Sequence, residues 1–168
     1  MVTLEQLLLS RDRRAARQSE WVRENPDGVL VCLTVILPGA VKRDGRSLKV
    51  ARAAVKAVRE RLSPVKEECL DLETGFEGYF IVPGELLDVK RACCAIEDNH
   101  PFGRLMDLDV LEESGGMVSP VSRDRVGMEP RRCLVCGRPA RECMRSRKHS
   151  GEELLRKIDE LLGYSNKS

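Results

Sequence analysis

The sequence predicts an α+β fold. Apolar runs rich in strand-forming residues, at 29–37, 65–73, 76–82 and 105–111, are interleaved with two stretches of helical apolar spacing, beginning at Ser47 and Pro83. Their order is strand, helix, strand, strand, helix, strand, and a further helical pattern stands at each end of the chain. That order is the split pattern of a ferredoxin-like βαββαβ sandwich, here with an added N-terminal helix and a C-terminal Cys/Arg-rich loop plus helix. A single domain over 1–168 is expected, with its core at about 29–111 and the Cys/Arg-rich segment and last helix at 131–163.

Each element has a local cause. Thr3 and Gln6 form a capping pair for a helix that runs to about Glu24, where "NPDG" breaks it. Its arginines, Arg11, Arg13, Arg14 and Arg17, offer phosphate contacts but read better as a solvated face. "VLVCLTVIL" (29–37) is apolar on both faces, as a central strand covered by helices must be. Ser47 is placed to cap a helix whose Leu48, Ala51, Val55, Val58 and Leu62 share a stripe until Pro64 stops it. "VKEECLDLE" and "FEGYFIV" read as two strands joined at Thr74 and Gly75. "PGELLDVKRACCAIED" restarts a helix with Leu86, Val89, Cys93 and Ile96 on one stripe. Residues 112–131 show no periodicity and read as a long connection. Ser150 and Glu153 form a capping box ahead of the last helix.

Bulk properties narrow the function. The 168 residues hold 29 basic and 27 acidic side chains, a formal net charge of +2, so no global field points to nucleic acid or membrane. Aromatics are only 4%, which disfavours base-stacking platforms. No run approaches a membrane span, and "MVTLEQLLLSRDRR" places its charge after its apolar patch, opposite to a secretory signal; a cytoplasmic location is expected. Seven cysteines, an odd count with Cys93 and Cys94 adjacent, do not suit a secreted disulfide framework. Cys32, Cys69, Cys93 and Cys94 lie in apolar segments and are expected to be buried and inert.

Two constellations carry chemistry. In "HPFGRLMDLDVL" (100–111), Asp107 and Asp109 are two positions apart, so in extended chain both carboxylates leave one face while Leu108 and Val110 leave the other. Like charges so placed repel unless a cation or an arginine neutralises them, and Mg²⁺ completed by substrate phosphates is the usual answer. An exposed strand edge is the plain alternative, though unneeded charge in an apolar setting is costly. Gly103 and Arg104 would let a phosphate approach the backbone and meet a guanidinium. Lys42, after "PGAV", is a further phosphate candidate, and His100 before Pro101 reads as a turn residue.

The second is "CLVCGRPARECMRSRKH", in which Cys133, Cys136, Cys143 and His149 are spaced C-x2-C-x6-C-x5-H. The Cys-x-x-Cys-Gly turn suits a tetrahedral ion, so a zinc site and a reduced, metal-free cluster both fit; a thioredoxin-type dithiol lacks its strand-to-helix context. Interleaved are Arg138, Arg141, Arg145, Arg147 and Lys148, five cations in eleven positions ahead of a helix start at Ser150, a density that suits a polyphosphate. His149 is open to three roles: metal ligand, general base or phosphate contact.

With "LPGAVK", "HPFGRLMDLDVL" and "RRCLVCGRPARECMRSRKHSGEELL" in view, the chain resembles the apo-citrate lyase phosphoribosyl-dephospho-CoA transferases, the holo-acyl-carrier-protein synthases of citrate lyase, from about Arg11 to Leu162. The resemblance implies a nucleotidyltransferase-type enzyme. It would move phosphoribosyl-dephospho-CoA from triphosphoribosyl-dephospho-CoA to a serine of the apo acyl-carrier subunit, releasing diphosphate. It also implies that Asp107 and Asp109 hold Mg²⁺, that Arg104 contacts a phosphate, and that Arg141 to Lys148 hold the diphosphate or the CoA-like moiety. Nucleotidyl transferases usually carry a Gly-Ser helix start before the aspartates, and Gly103-Arg104 departs from it; the resemblance thus leaves a nucleotidyl transferase-like α/β fold as the topology competing with the ferredoxin-like one. Two other readings stand beside this one: the same chemistry on another lyase or decarboxylase carrier, and a zinc-containing module that binds RNA or protein without catalysis.

Overall fold

The computed structural model describes residues 1–164; the last four residues of the domain expected over 1–168 lie outside the described residues. The chain has the expected mixed α+β character. α1 (Leu4–Glu24) begins with the Thr3/Gln6 capping box, both halves of which form. It is followed by β1 (Val29–Val35), α2 (Gly45–Leu62), β2 (Lys66–Leu72), β3 (Gly75–Val82), α3 (Leu86–Asn99), β4 (Met106–Ser114), β5 (Met117–Pro120), α4 (Ala140–Ser146) and α5 (Gly151–Leu162). The five strands make one sheet in the order β2-β3-β1-β4-β5, every neighbouring pair antiparallel. Among the described residues no helix is long and apolar enough to cross a membrane.

Alternation sorts the side chains onto two faces. Val29, Val31 and Leu33 of β1, Phe80 and Val82 of β3, and Met106, Leu108 and Val110 of β4 pack with α2, α3 and α5 in the main core. Leu30, Cys32, Tyr79, Ile81 and Leu111 point to the other face and are covered by Trp21 of α1. With helices on both sides, Val29 through Leu33 are all buried, which explains why this strand reads as apolar on both faces.

The structure departs from the sequence reading in several places. Asp44, not Ser47, is the N-cap of α2: its carboxylate accepts from the Arg46 and Ser47 amides, while the Ser47 hydroxyl accepts from the Asp44 amide. Residues 112–131 are not all connection. β4 continues to Ser114, turns at Gly115 and Gly116, both at positive φ, and returns as β5. Cys69 is exposed, because β2 is an edge strand that turns alternate residues to solvent; Cys32, Cys93 and Cys94 are buried as expected. Finally, Arg14 and Arg17 do not sit on a solvated face. They reach the sheet, Arg14 at 3.9 Å from Glu77 and Arg17 paired with Glu68 and stacked over Tyr79.

The passage from α3 into β4 is tightly built. His100 closes α3 as a turn residue, its Nδ1 accepting from the Phe102 amide at 2.9 Å, and the Gly103 amide donates to the His100 carbonyl at 2.8 Å. A Cβ on Gly103 would lie 2.2 Å from the Glu97 carbonyl oxygen, so glycine is the residue that lets this turn close against the end of α3. Gly103→Ala is therefore expected to lower stability by roughly 2–4 kcal/mol, read as the urea midpoint, because helix backbone must move to admit the methyl group; an unchanged midpoint would contradict the packing described.

Candidate active site

Asp107 and Asp109 leave the same face of β4, the face that α1 covers. Register places Asp107 opposite Thr34, which is in turn opposite Glu77; Asp109 lies opposite Cys32 and, beyond it, Tyr79. The sheet therefore carries three carboxylates within two rows of one face. Glu77 is satisfied locally, since the Tyr79 hydroxyl donates to it at 2.6 Å and Arg14 stands nearby. The Asp107 side chain is 41% exposed. Asp109 sits deeper, and its carboxyl is pushed up to about 6, first by burial and second by the charge of Asp107. Burial likewise raises the Cys32 thiol to about 12, which keeps it protonated and inert beside them.

A network from outside the strand holds the pair in place. β5 pairs with β4 only from Leu111 onward, which leaves residues 107–109 on an open edge. There the Leu108 amide donates to the buried Glu97 carboxylate at 2.8 Å. Glu97 receives Arg123 at 2.7 Å and lies 3.6 Å from Arg131. The Arg131 guanidinium also stands 3.4 Å from Asp107 and donates to the carbonyls of Gly103 (3.0 Å) and Arg104 (3.2 Å). A buried carboxylate on two guanidiniums is stable only as a complete set, because either partner alone would be an uncompensated buried charge. Sequence alone does not single out Arg123 or Arg131, since their acidic partners lie 24 or more residues away and give no local pattern. Glu77 did leave a trace, a charge inside "FEGYFIV" comparable to the aspartates in theirs.

The other expected site residues are less closely joined. Arg104, in a single 3-10 turn at Gly103–Leu105, donates to the Arg132 carbonyl and borders a cleft of about 240 Å³ shared with Asp98, Arg123, Glu129 and Arg131. Burial and the nearby Arg131 make its guanidinium a weaker base than usual. Lys42 folds back on its own loop, Nζ donating to the Leu37 carbonyl at 2.5 Å; burial and Arg11 lower its pKa. Lys42 follows the C-terminal end of β1, the end that Asp107 pairs with, but does not touch the aspartates. Arg138, Arg141, Arg145, Arg147 and Lys148 are exposed, and among the described residues none has an acidic partner or a bond to the aspartates. The α5 start is an unfavourable anion site, because its first turn carries Glu152 and Glu153 and the Ser150 hydroxyl already accepts from the Glu153 amide. Cys133, Cys136, Cys143 and His149 do come together, each offering a ligand atom within 4.8 Å of the others.

The ionised aspartate pair should cost stability in the absence of a cation. The folded-state pKa of Asp109 lies above the ordinary aspartate value of 3.8, so the folded protein binds the proton more tightly than the unfolded chain, and the penalty is full above pH 6 and gone below about pH 4. Asp109→Asn is expected to raise stability at pH 8 by on the order of 1–2 kcal/mol, allowing for partial solvent screening, with the gain shrinking through pH 6 and vanishing near pH 4. Thermal unfolding across that range checks it; destabilisation at pH 8 would show that the carboxylate is held favourably without a cation.

Comparison with known proteins adds an independent line. The sequence profile of the family described as apo-citrate lyase phosphoribosyl-dephospho-CoA transferase matches residues 2–164. A Streptococcus pyogenes protein named as a probable apo-citrate lyase phosphoribosyl-dephospho-CoA transferase is 39% identical over 165 residues, covering 96% of this chain and 85% of that one. A Vibrio cholerae protein of the same name is 39% identical over 166 residues, covering 95% and 91%. The matched span covers nearly the whole chain, and the chain belongs to the apo-citrate lyase phosphoribosyl-dephospho-CoA transferase family.

Proposed function

We propose that this enzyme transfers phosphoribosyl-dephospho-CoA from triphosphoribosyl-dephospho-CoA to a serine of the apo acyl-carrier subunit of citrate lyase, releasing diphosphate. The observation that carries the proposal is the Asp107/Asp109 pair, two carboxylates on one strand face with the inner one held up near 6, in a chain of this family. Such hard oxygen donors suit Mg²⁺, which Asp107 and Asp109 would hold. When bound, the ion would neutralise charge on the triphosphate and align it for attack.

The chain's own residues do the positioning. Arg131 pins Asp107 and the Gly103–Arg104 backbone, so the site's floor is set before substrate arrives. Arg104, which borders the adjacent cleft, would meet a phosphate there. Lys42 and the exposed cations Arg141, Arg145, Arg147 and Lys148 would attract the diphosphate and the CoA-like moiety, and would complement an acidic carrier surface. The carrier serine oxygen bonds to the phosphorus attached to the ribose as its hydroxyl proton is lost to solvent; the bond to the diphosphate oxygen breaks and diphosphate leaves with the electron pair. Because the nucleophile arrives on the partner, this chain needs no Ser/His/Asp triad. We also read β2-β3-β1-β4 with α2 and α3 on one face as a ferredoxin-like split sandwich. The all-antiparallel pairing supports this over the nucleotidyl transferase-like α/β alternative. Cytoplasmic action fits a reduced cysteine set and a protein partner of this kind.

Intact-mass measurement of apo carrier subunit incubated with enzyme, Mg²⁺ and triphosphoribosyl-dephospho-CoA is expected to show one added prosthetic group. Asp107→Asn and Asp109→Asn should each slow that addition by at least about 100-fold. Full-rate transfer by either variant would overturn the metal-holding role. Modification of a decarboxylase carrier in preference to the citrate lyase subunit would keep the chemistry and reassign the partner.

A further inference from the structure

The cysteine cluster makes no hydrogen bond to the aspartates among the described residues and is not used by the transfer chemistry just described. Its geometry is nonetheless that of a built site. Cys133 and Cys136 flank a turn closed by the Gly137 amide, which donates to the Cys133 carbonyl at 3.1 Å, with Gly137 at positive φ. Cys143 comes from α4, and His149 sits just before the N-cap of α5. The four ligand atoms lie within 4.8 Å of one another, and the Cys136 and Cys143 sulfurs are 3.4 Å apart. Donors at about 2.0–2.3 Å around a tetrahedral zinc stand roughly 3.3–3.8 Å from each other, so side-chain adjustments of about 1 Å suffice.

A second observation points to the ion. The His149 side chain is only 8% exposed, and its Nε2 is buried without any hydrogen-bond partner. An orphaned ring nitrogen is costly unless something occupies it. The other ring nitrogen, Nδ1, lies 3.2 Å from the Glu153 carboxylate. A proton on Nδ1 directed at a carboxylate leaves the Nε2 lone pair free, the carboxylate–histidine–metal arrangement.

We propose that Cys133, Cys136, Cys143 and His149 bind one structural zinc ion through three thiolates and His149 Nε2, with Glu153 orienting the imidazole. Four protein ligands close the coordination shell, so the ion is structural, not catalytic. Three thiolates and one neutral imidazole on Zn²⁺ carry a net charge of −1, and the surrounding Arg138, Arg141, Arg145, Arg147 and Lys148, which lack acidic partners among the described residues, offset it.

The site's position gives it a consequence. The knuckle folds the chain back beside Arg131 and Arg132: the Ala140 amide donates to the Arg131 carbonyl at 2.8 Å, the Cys133 amide to the Arg138 carbonyl at 2.6 Å, and Arg132 bridges to Pro139. Zinc would lock this hairpin and so hold the Arg131 guanidinium against Asp107, a role that rests on the Mg²⁺ reading of the aspartates.

Elemental analysis of protein purified under reducing conditions is expected to give one zinc per chain. Cobalt substitution should produce the charge-transfer and ligand-field bands of a tetrahedral, thiolate-rich site. Glu153→Gln, which removes no ligand and should fold, is expected to weaken zinc binding by about 10–100-fold in a chelator competition. Metal-free protein that neither takes up zinc nor yields those bands, or Glu153→Gln with unchanged affinity, would overturn the site. None of these readings depends on transfer activity, so they stand apart from the proposed function. For the link to Arg131, zinc removal should raise the Mg²⁺ concentration giving half-maximal rate while leaving the carrier KM within about twofold; unchanged Mg²⁺ dependence would sever it.

Discussion

Two like charges forced onto one face of a strand are the constraint around which the rest of the site is arranged. Asp107 and Asp109 cannot separate, because the two-residue period of an extended chain gives them the same side, and they cannot turn away, because Met106, Leu108 and Val110 commit the opposite side to the main core. Slipping the register by one residue would bury both carboxylates under α2 and α3 and expose three core side chains. The hydrophobic pattern of β4 therefore holds the acidic pair in position, and the repulsion is relieved by what lies beside it.

That relief comes from several parts of the chain. Arg131 approaches Asp107 from the segment after β5, and Arg14 reaches the same face from α1. Glu97 of α3, bound to the Leu108 amide, Arg123 and Arg131, closes the open edge of β4 with a carboxylate where a further strand would otherwise pair. Gly103 permits this by letting the turn sit on the carbonyls at the end of α3. The protein neutralises Asp107 in part and leaves Asp109 protonatable, which is the electrostatic condition in which a divalent cation has most to offer.

How much of this was legible follows from the range of each interaction. Helices and strands between residues 29 and 111 were readable because their causes are local: stripe spacing in α2 and α3, β-branched runs in β1 and β3, and the shared face of Asp107 and Asp109. β5 was missed because four residues give no periodicity, although the Gly115-Gly116 pair was a turn signal between strand-like flanks. Asp44 took the cap expected of Ser47 because it stands at the true entry to α2. Cys69 looked buried in an apolar run, yet the edge position of β2, a tertiary fact, exposes it. Arg123 and Arg131 were illegible for the same reason, since an ion pair across two dozen residues leaves no mark on either neighbourhood. Proximity of the cysteines was readable from spacing; the orphaned Nε2 of His149 and its Glu153 partner were not.

The central claim, that Asp107 and Asp109 form a strained pair waiting for a divalent cation, is tested most directly by a carboxyl-carbon NMR titration of aspartate-labelled protein, with the Asp109 resonance assigned from Asp109→Asn. Asp109 is expected to titrate near pH 6 without divalent cation and to fall to or below the ordinary aspartate range with Mg²⁺ and diphosphate present, while diphosphate alone leaves it in place. An ordinary aspartate titration that Mg²⁺ does not move would contradict the account.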